Sequence, residues 1–518
     1  MDIPWFKLKK YPHIGMPITI KDRKWVVEYV KDQNKVAAHS FLPLLHKTII
    51  KRKFRADQVY PERNPSGKRK RIQGTPKDRH IYYAAHLDGL VFSYYSHLLQ
   101  EKYEILLSKT NFNESVVAYR KIPISKGSEK NKCNIEFAKE AFEFIHKNQE
   151  QELSVIVADV TKFFDNLDHK ILKQQWSRVL ALPTLPKDHY NVFKALTRWQ
   201  YVEEHRLFDV NKNAIIVERR KAGISSEIER KKIAIKSKRY FKEKNAIAYC
   251  EKDDFLKNHL NLIRKASTKK GIPQGSAISA TLANIYMLEF DQTVYGEIER
   301  INGYYQRYSD DMIIICPRKH QEHILKFVRT EIDKLKLQIH TSKTKVYHFE
   351  KVDGSFKGFE VSEISGEINY NKTLEYLGFT YDGQRVLIKS AGFSKYYRSI
   401  KRSLKKSASL AINSKNPDKR IFKSRLYKRF TYRGAQRRLI YRPSKTDATK
   451  YTKTKKFDWG NYISYLNKAN DSMRSLNGND IIKKQSRRFW FKYHVLLKYH
   501  QSRVDSKLAS LAAKTKNI

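Results

Sequence analysis

Apolar residues return along this chain with two different periods, and the switches between them mark out its elements. From His80 to Tyr103 they recur every three or four residues (Tyr83, Leu87, Val91, Tyr94, Leu98), the spacing of one helix face. Ile135–His146 repeats that pattern, with Asn134 ahead of it as an N-cap. Ser154–Val160 (SVIVADV) is instead a short β-branched run closing on an acid, which predicts a buried strand. Helical spacing resumes over Asp168–Leu180. Gly271–Gly275 is a turn, and it opens an amphipathic helix from Ala277 to about Phe290. Two apolar strands, Gly303–Tyr308 and Met312–Cys316, flank the polar turn Ser309-Asp310-Asp311, and a helix follows over His323–Leu337. Leu374–Phe379 and Arg385–Lys389 stand on either side of Tyr381-Asp382-Gly383-Gln384, a hairpin signal. From Lys395 onward the pattern is helical with few strand signals, and no repeat of fixed period is present.

Charge changes the picture. The 518 residues include 104 Lys and Arg against 53 Asp and Glu, a net charge of +51, while 40% are hydrophobic. Such a chain buries a core, over roughly two to four domains, yet repels itself unless a polyanion screens it. Nucleic acid is the partner this predicts, ahead of an anionic membrane. The cations gather in a polar loop at Asn64–Lys77 and in the stretch 205–265, including Glu218–Lys244, which reads as an inserted helical arm. They gather again in Arg398–Lys406, Lys419–Arg438 and Lys483–Lys492, interleaved with Tyr432, Phe489, Trp490 and Phe491. This last region fits a nucleic-acid groove in which cations follow phosphates and aromatics stack on bases. Cys133, Cys250 and Cys316 are far apart, which argues against a zinc ribbon or a disulfide framework and fits a reducing compartment. The first residues hold no apolar signal-peptide core, and no apolar stretch is long enough to cross a bilayer, so a cytoplasmic protein with no membrane contact is expected.

The candidate chemistry lies in the acids. Asp159 closes an apolar strand, Asp310 and Asp311 sit in the turn between two more, and Gly271–Ser276 (GIPQGS) opens a helix between them in sequence. Each pattern alone is ordinary turn or cap chemistry. Together they place carboxylates at neighbouring strand ends, which suits two Mg²⁺ ions because these prefer oxygen ligands. Two such ions clamp the attacking and leaving oxygens of a phosphoryl transfer.

These segments resemble the reverse-transcriptase motifs, in order. Val157–Asp168 (VADVTKFFDNLD) resembles motif A, Gly271–Ala283 (GIPQGSAISATLA) motif B, and Tyr305–Ile315 (YQRYSDDMIII) motif C with its Y-x-D-D box. Lys343-Thr344 resembles motif D, and Leu374–Phe379 (LEYLGF) resembles motif E, the primer grip, with Tyr376, Leu377 and Gly378 in its turn. The resemblance implies that Asp159 and Asp310 bind both metals, assisted by the Val160 carbonyl, with Asp311 supporting them. The ions are Mg²⁺, with Mn²⁺ as the alternative. It implies that Gln274 and Gly275 line the nucleotide and template pocket, that Lys343 serves the departing pyrophosphate, and that Arg120 contacts the triphosphate. Phe164, five residues after Asp159, would pack under the sugar and exclude a 2′-hydroxyl. Asp165 is expected on the opposite side of an extended chain, so deoxynucleotides are the expected substrate. The implied fold is α+β: a right-hand polymerase with fingers and a palm built on a small antiparallel sheet, then an all-helical, thumb-like C-terminal domain. The boundaries read 1–150 for an N-terminal extension and fingers, 151–204 for the first part of the palm, 205–266 for the basic arm, 267–392 for the second part of the palm and 393–518 for the helical basic domain.

Further segments, among them Trp5–Pro17 (WFKLKKYPHIGMP), Ala38–Leu45 (AHSFLPLL), the YYAAHLDGLVFSYY run, Cys133–Ile145 (CNIEFAKEAFEFI) and Gly460–Ala469 (GNYISYLNKA), resemble the bacterial defence-associated, abortive-infection reverse transcriptases. That branch implies phage defence through DNA synthesis, on an RNA template or a partner non-coding RNA, or without a usual template, or primed by the protein itself. A non-catalytic RNA-binding scaffold and a homo-oligomer both remain open at this stage.

Overall fold

The structure, a computed structural model, describes residues 3–51, 54–56, 71–73, 77–220, 228–266, 269–414, 420–435, 439–443, 451–457 and 460–516. Most of the basic loop Asn64–Lys77 lies outside the described residues.

A six-stranded antiparallel sheet carries the acids. Its strands are β1 (Leu153–Asp159), β2 (Tyr304–Tyr308), β3 (Asp311–Pro317), β4 (Lys345–Val352), β5 (Ser355–Val361) and β6 (Ile368–Asn369), in the order β2-β3-β1-β4-β5-β6. β1 and β3 read as continuous apolar runs because they are central and covered on both faces. Ile156, Ala158, Met312, Ile314 and Cys316 enter one core with the helices His86–Leu107, His169–Leu180, Ser279–Tyr286 and Gln321–Lys334. Val155, Ile313 and Ile315 enter a second core on the other face. There they meet helix α1 (Asn134–Lys147) and a three-stranded meander, β7 (Leu374–Tyr376), β8 (Phe379–Tyr381) and β9 (Val386–Ile388).

The chain then runs through helices α2 (Ser390–Ile412), α3 (Lys423–Phe430), α4 (Tyr462–Ser472) and α5 (Ile481–Lys516). Leu466, Ala469, Met473, Leu476 and Ile482 belong to the second core, so residues beyond 393 help to cover the acid-bearing sheet. Among the described residues no helix is long and apolar enough to cross a membrane.

Several expectations are corrected. The basic arm is only partly helical: beside the helices Glu204–Asn211 and Lys252–Asn258, Ile215–Arg220 and Ile228–Ile233 form an antiparallel pair, joined in one sheet by Ala246–Cys250 and His13–Ile14. Ile215 and Val217 drive this by entering a third core, while the cations of Ile228–Ile233 stay on an exposed strand. The C-terminal region is not all-helical either, because Leu439–Pro443 pairs with Tyr451–Phe457. His80–Tyr83 ends a strand, Lys77–Tyr83, and the helix begins only at His86. The helix predicted from Ala277 is two, Ser279–Tyr286 and Leu288–Arg300. The N-cap of α1 is Cys133, whose N–H donates to Glu136, while the Asn134 amide reaches the Leu377 carbonyl at 3.0 Å and the Tyr465 hydroxyl at 3.1 Å.

Candidate active site

Strand register brings the acids together. In the antiparallel β1–β3 pair, Asp311 lies directly opposite Asp159. Asp310 occupies the turn between β2 and β3, after Ser309 at φ +64°, and its carbonyl accepts from the Val160 N–H at 3.1 Å. Burial raises the Asp310 pKa, and the neighbouring Asp159 charge adds to it. Burial in the cleft, then the charges of Asp310 and Asp159, push Asp311 up to about 6, although its outer edge meets solvent and Lys343 and Lys389 oppose the shift. Asp310 and Asp311, whose ionisation is disfavoured beside Asp159, form with it a donor set that a hard divalent cation relieves. The residue chemistry therefore fits Mg²⁺ or Mn²⁺. Among the described residues, no three His, Cys, Asp or Glu side chains converge as a closed metal site. The Lys343 ammonium instead pairs with Asp159. Segment 338–343 follows the end of β1 to deliver it: His340 N–H donates to Asp159 O and Thr161 N–H to Gln338 O, both at 2.8 Å.

The turn holding Asp310 rests on residues to which the sequence reading gave no role. Arg307 is fully buried, grips Asp291 through Nε at 2.7 Å and Nη2 at 2.6 Å, and donates from Nη1 to the Ser309 carbonyl at 2.9 Å. Tyr305 donates to the same Asp291 at 2.7 Å. The Tyr119 and Ser309 hydroxyls are 3.0 Å apart. The available signals were a lone arginine inside a strand and an aspartate inside an amphipathic helix, a pair whose burial requires each to neutralise the other.

The Gly271–Ser276 loop docks on the exit of β1. Gly271 N–H donates to Leu167 O at 2.7 Å, and Ile272 N–H to Phe164 O at 2.9 Å. Gln274 donates from its amide to Asp165 at 3.2 Å, while its carbonyl accepts from Tyr82 N–H at 2.7 Å. Gly275 stands at φ +116°, where a Cβ would lie 2.6 Å from the Tyr82 carbonyl, so only glycine fits. Phe164, Gln274 and Gly275 are thus neighbours. Phe164 and Asp165, however, do not lie on opposite sides of an extended chain. Phe163–Asn166 is a helical turn entered through Lys162 at φ +43°, so these two side chains diverge by about 100° rather than facing opposite ways.

Two other expected contacts are turned inward. Arg120 spends its donors on Glu104, Asn113 and the Val116 carbonyl, and its side chain is buried, which leaves no donor for a triphosphate in this conformation. Tyr376 is buried with its hydroxyl donating to Gln306 at 3.0 Å. The β7–β8 turn therefore presents Leu377 (φ +43°) and Gly378 (φ +93°), pinned by Lys389 N–H on the Gly378 carbonyl and Asn134 on that of Leu377.

Residues 230–381 match the family model described as Reverse transcriptase (RNA-dependent DNA polymerase). The chain carries a reverse-transcriptase domain. The matched span takes in Gln274, Gly275, Asp310, Asp311, Lys343 and the β7–β8 turn, and begins after Asp159. No curated protein matches the chain. Among solved structures, similar chains include apo telomerase from Candida tropicalis truncated from its C-terminal domain, at 12% identity and TM-score 0.31, covering 67% of this chain and 58% of that one. Telomerase from Candida albicans in complex with the TWJ fragment of telomeric RNA matches at 10% identity and TM-score 0.34, covering 96% of this chain and 68% of that one. The likeness to both is distant, and the chain spans little more than half the length of the first.

Proposed function

We propose that this protein is an RNA-directed DNA polymerase that joins deoxynucleotides by two-metal nucleotidyl transfer, on a right-hand arrangement in which the β1–β6 sheet is the palm. The observation that carries the proposal is the register that sets Asp311 against Asp159 with Asp310 in the adjoining turn, inside a chain that carries a reverse-transcriptase domain. Asp159, Asp310 and Asp311, with the Val160 carbonyl, would hold the divalent ions, which supply neutralisation of phosphate charge and activation of the primer hydroxyl when bound. Lys343 exchanges its pairing with Asp159 for the departing pyrophosphate. Phe164 supports the sugar of the incoming nucleotide, and the Gln274–Gly275 backbone borders the pocket where template and nucleotide meet. Leu377 and Gly378 border the primer. Within this reading, the segments that resemble the abortive-infection enzymes favour a role in bacterial antiviral defence.

The test is extension of a DNA primer on an RNA template by purified protein with Mg²⁺ and deoxynucleotides, beside Asp310→Asn. Template-dependent product that is lost in the variant and absent with ribonucleotides supports the proposal. Product without template, or DNA covalently attached to the protein, would replace it with non-templated or protein-primed synthesis. Equal behaviour of the variant would leave a nucleic-acid-binding scaffold.

A further inference from the structure

Beside β2, the edge strand of the six-stranded sheet, lies a cavity of about 590 Å³ whose charge runs against the rest of the chain. Lys and Arg outnumber Asp and Glu by 104 to 53. Yet the charged side chains lining this cavity are Glu114, Glu140 and Glu299, with no Lys, Arg or His among the described residues. Glu140 comes from α1, Glu299 from helix Leu288–Arg300 and Glu114 from the segment between helix His86–Leu107 and α1. They converge on two lining phenols, whose pKa values are raised by burial first and then by these charges: Glu299 and Glu114 act on Tyr295, Glu140 and Glu114 on Tyr304. Lys132 pairs with Glu140 at 2.6 Å. Glu299 accepts from the Tyr295 hydroxyl at 2.8 Å and the Asn111 amide at 3.1 Å. Neither Glu299 nor Glu114 has a cation partner among the described residues, so two of the three carboxylates are uncompensated.

The cavity also holds polar groups that the fold leaves idle. Ser115 is 5% exposed and lines it, and its hydroxyl has no protein partner among the described residues. A buried hydroxyl left without a partner costs free energy that a ligand recovers. Segment 115–117 covers the edge of β2 only at Arg307, whose N–H donates to Ser115 O at 2.7 Å and whose carbonyl accepts from Val117 N–H at 3.1 Å. Tyr305, two residues back, turns its backbone the same way, but the Ser115 N–H that would meet it goes to Phe112 O at 3.0 Å. The Tyr305 carbonyl is thus a further acceptor on the cavity side. Phe144, Tyr295 and Tyr304 supply ring surface, with Phe144 and Tyr304 packed at 5.3 Å.

We infer that this cavity is a binding site for a short linear polyamine, with ammonium groups on Glu114, Glu299 and the Ser115 hydroxyl and methylene spacers against Phe144, Tyr295 and Tyr304. An ammonium held between carboxylates and ring faces gains from both the charge and the ring quadrupole, and the volume is that of a small-molecule site. A metal ion answers the charge alone: among the described residues no three acids converge as a closed metal site, and a bare ion leaves the rings unfilled. One lysine or arginine of a protein partner brings a single charge to two carboxylates. The site lies at the opposite end of β2 from the Asp310 turn. It stands apart from the polymerase reading, because it needs neither template nor primer.

The experiment is isothermal titration calorimetry of spermidine into the full chain freed of nucleic acid, with Mg²⁺ present to compete at Asp159, Asp310 and Asp311. One saturable site is expected. The double variant Glu114→Gln/Glu299→Gln, which removes charge at equal size, is expected to bind at least tenfold more weakly, and Ser115→Ala to weaken binding by a smaller factor. Butylamine, with a single charge, is expected to bind at least tenfold more weakly than spermidine. The inference is overturned if no saturable binding appears up to millimolar spermidine, or if the double variant keeps the wild-type affinity. It is equally overturned if blocked trilysine binds more tightly than spermidine, which makes the cavity a dock for a basic peptide. If the double variant fails to fold, Glu114→Gln alone carries the test, since Glu114 is exposed and has no ion pair to lose. Weakening of at least threefold there supports the site, and unchanged affinity overturns it.

Discussion

Asp311 meets Asp159 across a strand pair with Asp310 beside both, and this crowding has a thermodynamic sign. Its folded pKa of about 6 exceeds the ordinary 3.8, so the folded chain holds a proton that the unfolded chain has already lost between those values. The resulting destabilisation is absent below 3.8, grows through that window and is complete above about 6. Asp311→Asn should therefore raise the unfolding free energy at neutral pH without metal, by up to about 1 kcal/mol after solvent screening, and the gain should vanish at about pH 4. Calorimetry in EDTA reads it. Mg²⁺ should stabilise wild type more than the variant. Arg307 carries the opposite expectation. Arg307→Met strands Asp291 in the core and frees the Ser309 carbonyl, at a cost of about 3–5 kcal/mol, read by urea unfolding, with extension activity lost alongside. The three aspartates were legible because each interrupts an apolar run where a strand ends. Arg307 was not, since its importance lies in a partner sixteen residues away on another element. Arg120 misled for the reverse reason: its surroundings, not its spacing, decide where its donors point.

At the level of elements, the antiparallel hairpin around Ser309 was readable because apolar strands flank a polar turn. The basic sheet around Ile215–Arg220 was not. Lysines and arginines dominate the composition there and mask the few β-branched residues, Ile215, Val217 and Ile235, that reach the third core. The helix break at Met287 was equally hidden, because the residues on both sides are buried and the apolar pattern runs on. The Gly271–Ser276 loop yields a sharp expectation. Gly275→Ala pushes a methyl against the Tyr82 carbonyl and should abolish extension while lowering stability by about 1–3 kcal/mol. Retained extension would show that the loop can move aside. The short strand His13–Ile14 yields another. His13 is wholly buried, its Nδ1 accepting from Ile14 N–H at 2.8 Å and its Nε2 donating to the Tyr83 carbonyl at 3.1 Å. Burial lowers its pKa from 6.5 to about 3. The unfolded chain gains that proton first, so stability is full above 6.5 and falls as pH drops toward 3. His13→Gln should flatten this slope in denaturant titrations at stepped pH.

For the molecule as a whole, a net charge of +51 sets conditions on everything else. Added salt or heparin should raise the melting temperature of the free protein, by screening repulsion that nucleic acid would otherwise relieve. A melting temperature that falls steadily with salt would mean that internal ion pairs outweigh the repulsion. The charge was legible from composition, but the way the C-terminal region joins the sheet was not, because it depends on single amide groups. Asn477 accepts from Val386 N–H at 2.7 Å and donates back to its carbonyl at 3.0 Å, while Gln485 accepts from Ile388 N–H at 3.1 Å. Two side chains from the far end of the chain thus hem the free edge of β9. A chain ending at 392 would keep Asp159, Asp310 and Asp311 and the whole matched span, yet bare that strand edge and strip Leu466, Met473 and Ile482 from the core beneath it. Its fate would be to pair edge to edge with its own copies and precipitate, so the residues beyond 392 act as the chaperone that this sheet carries with it.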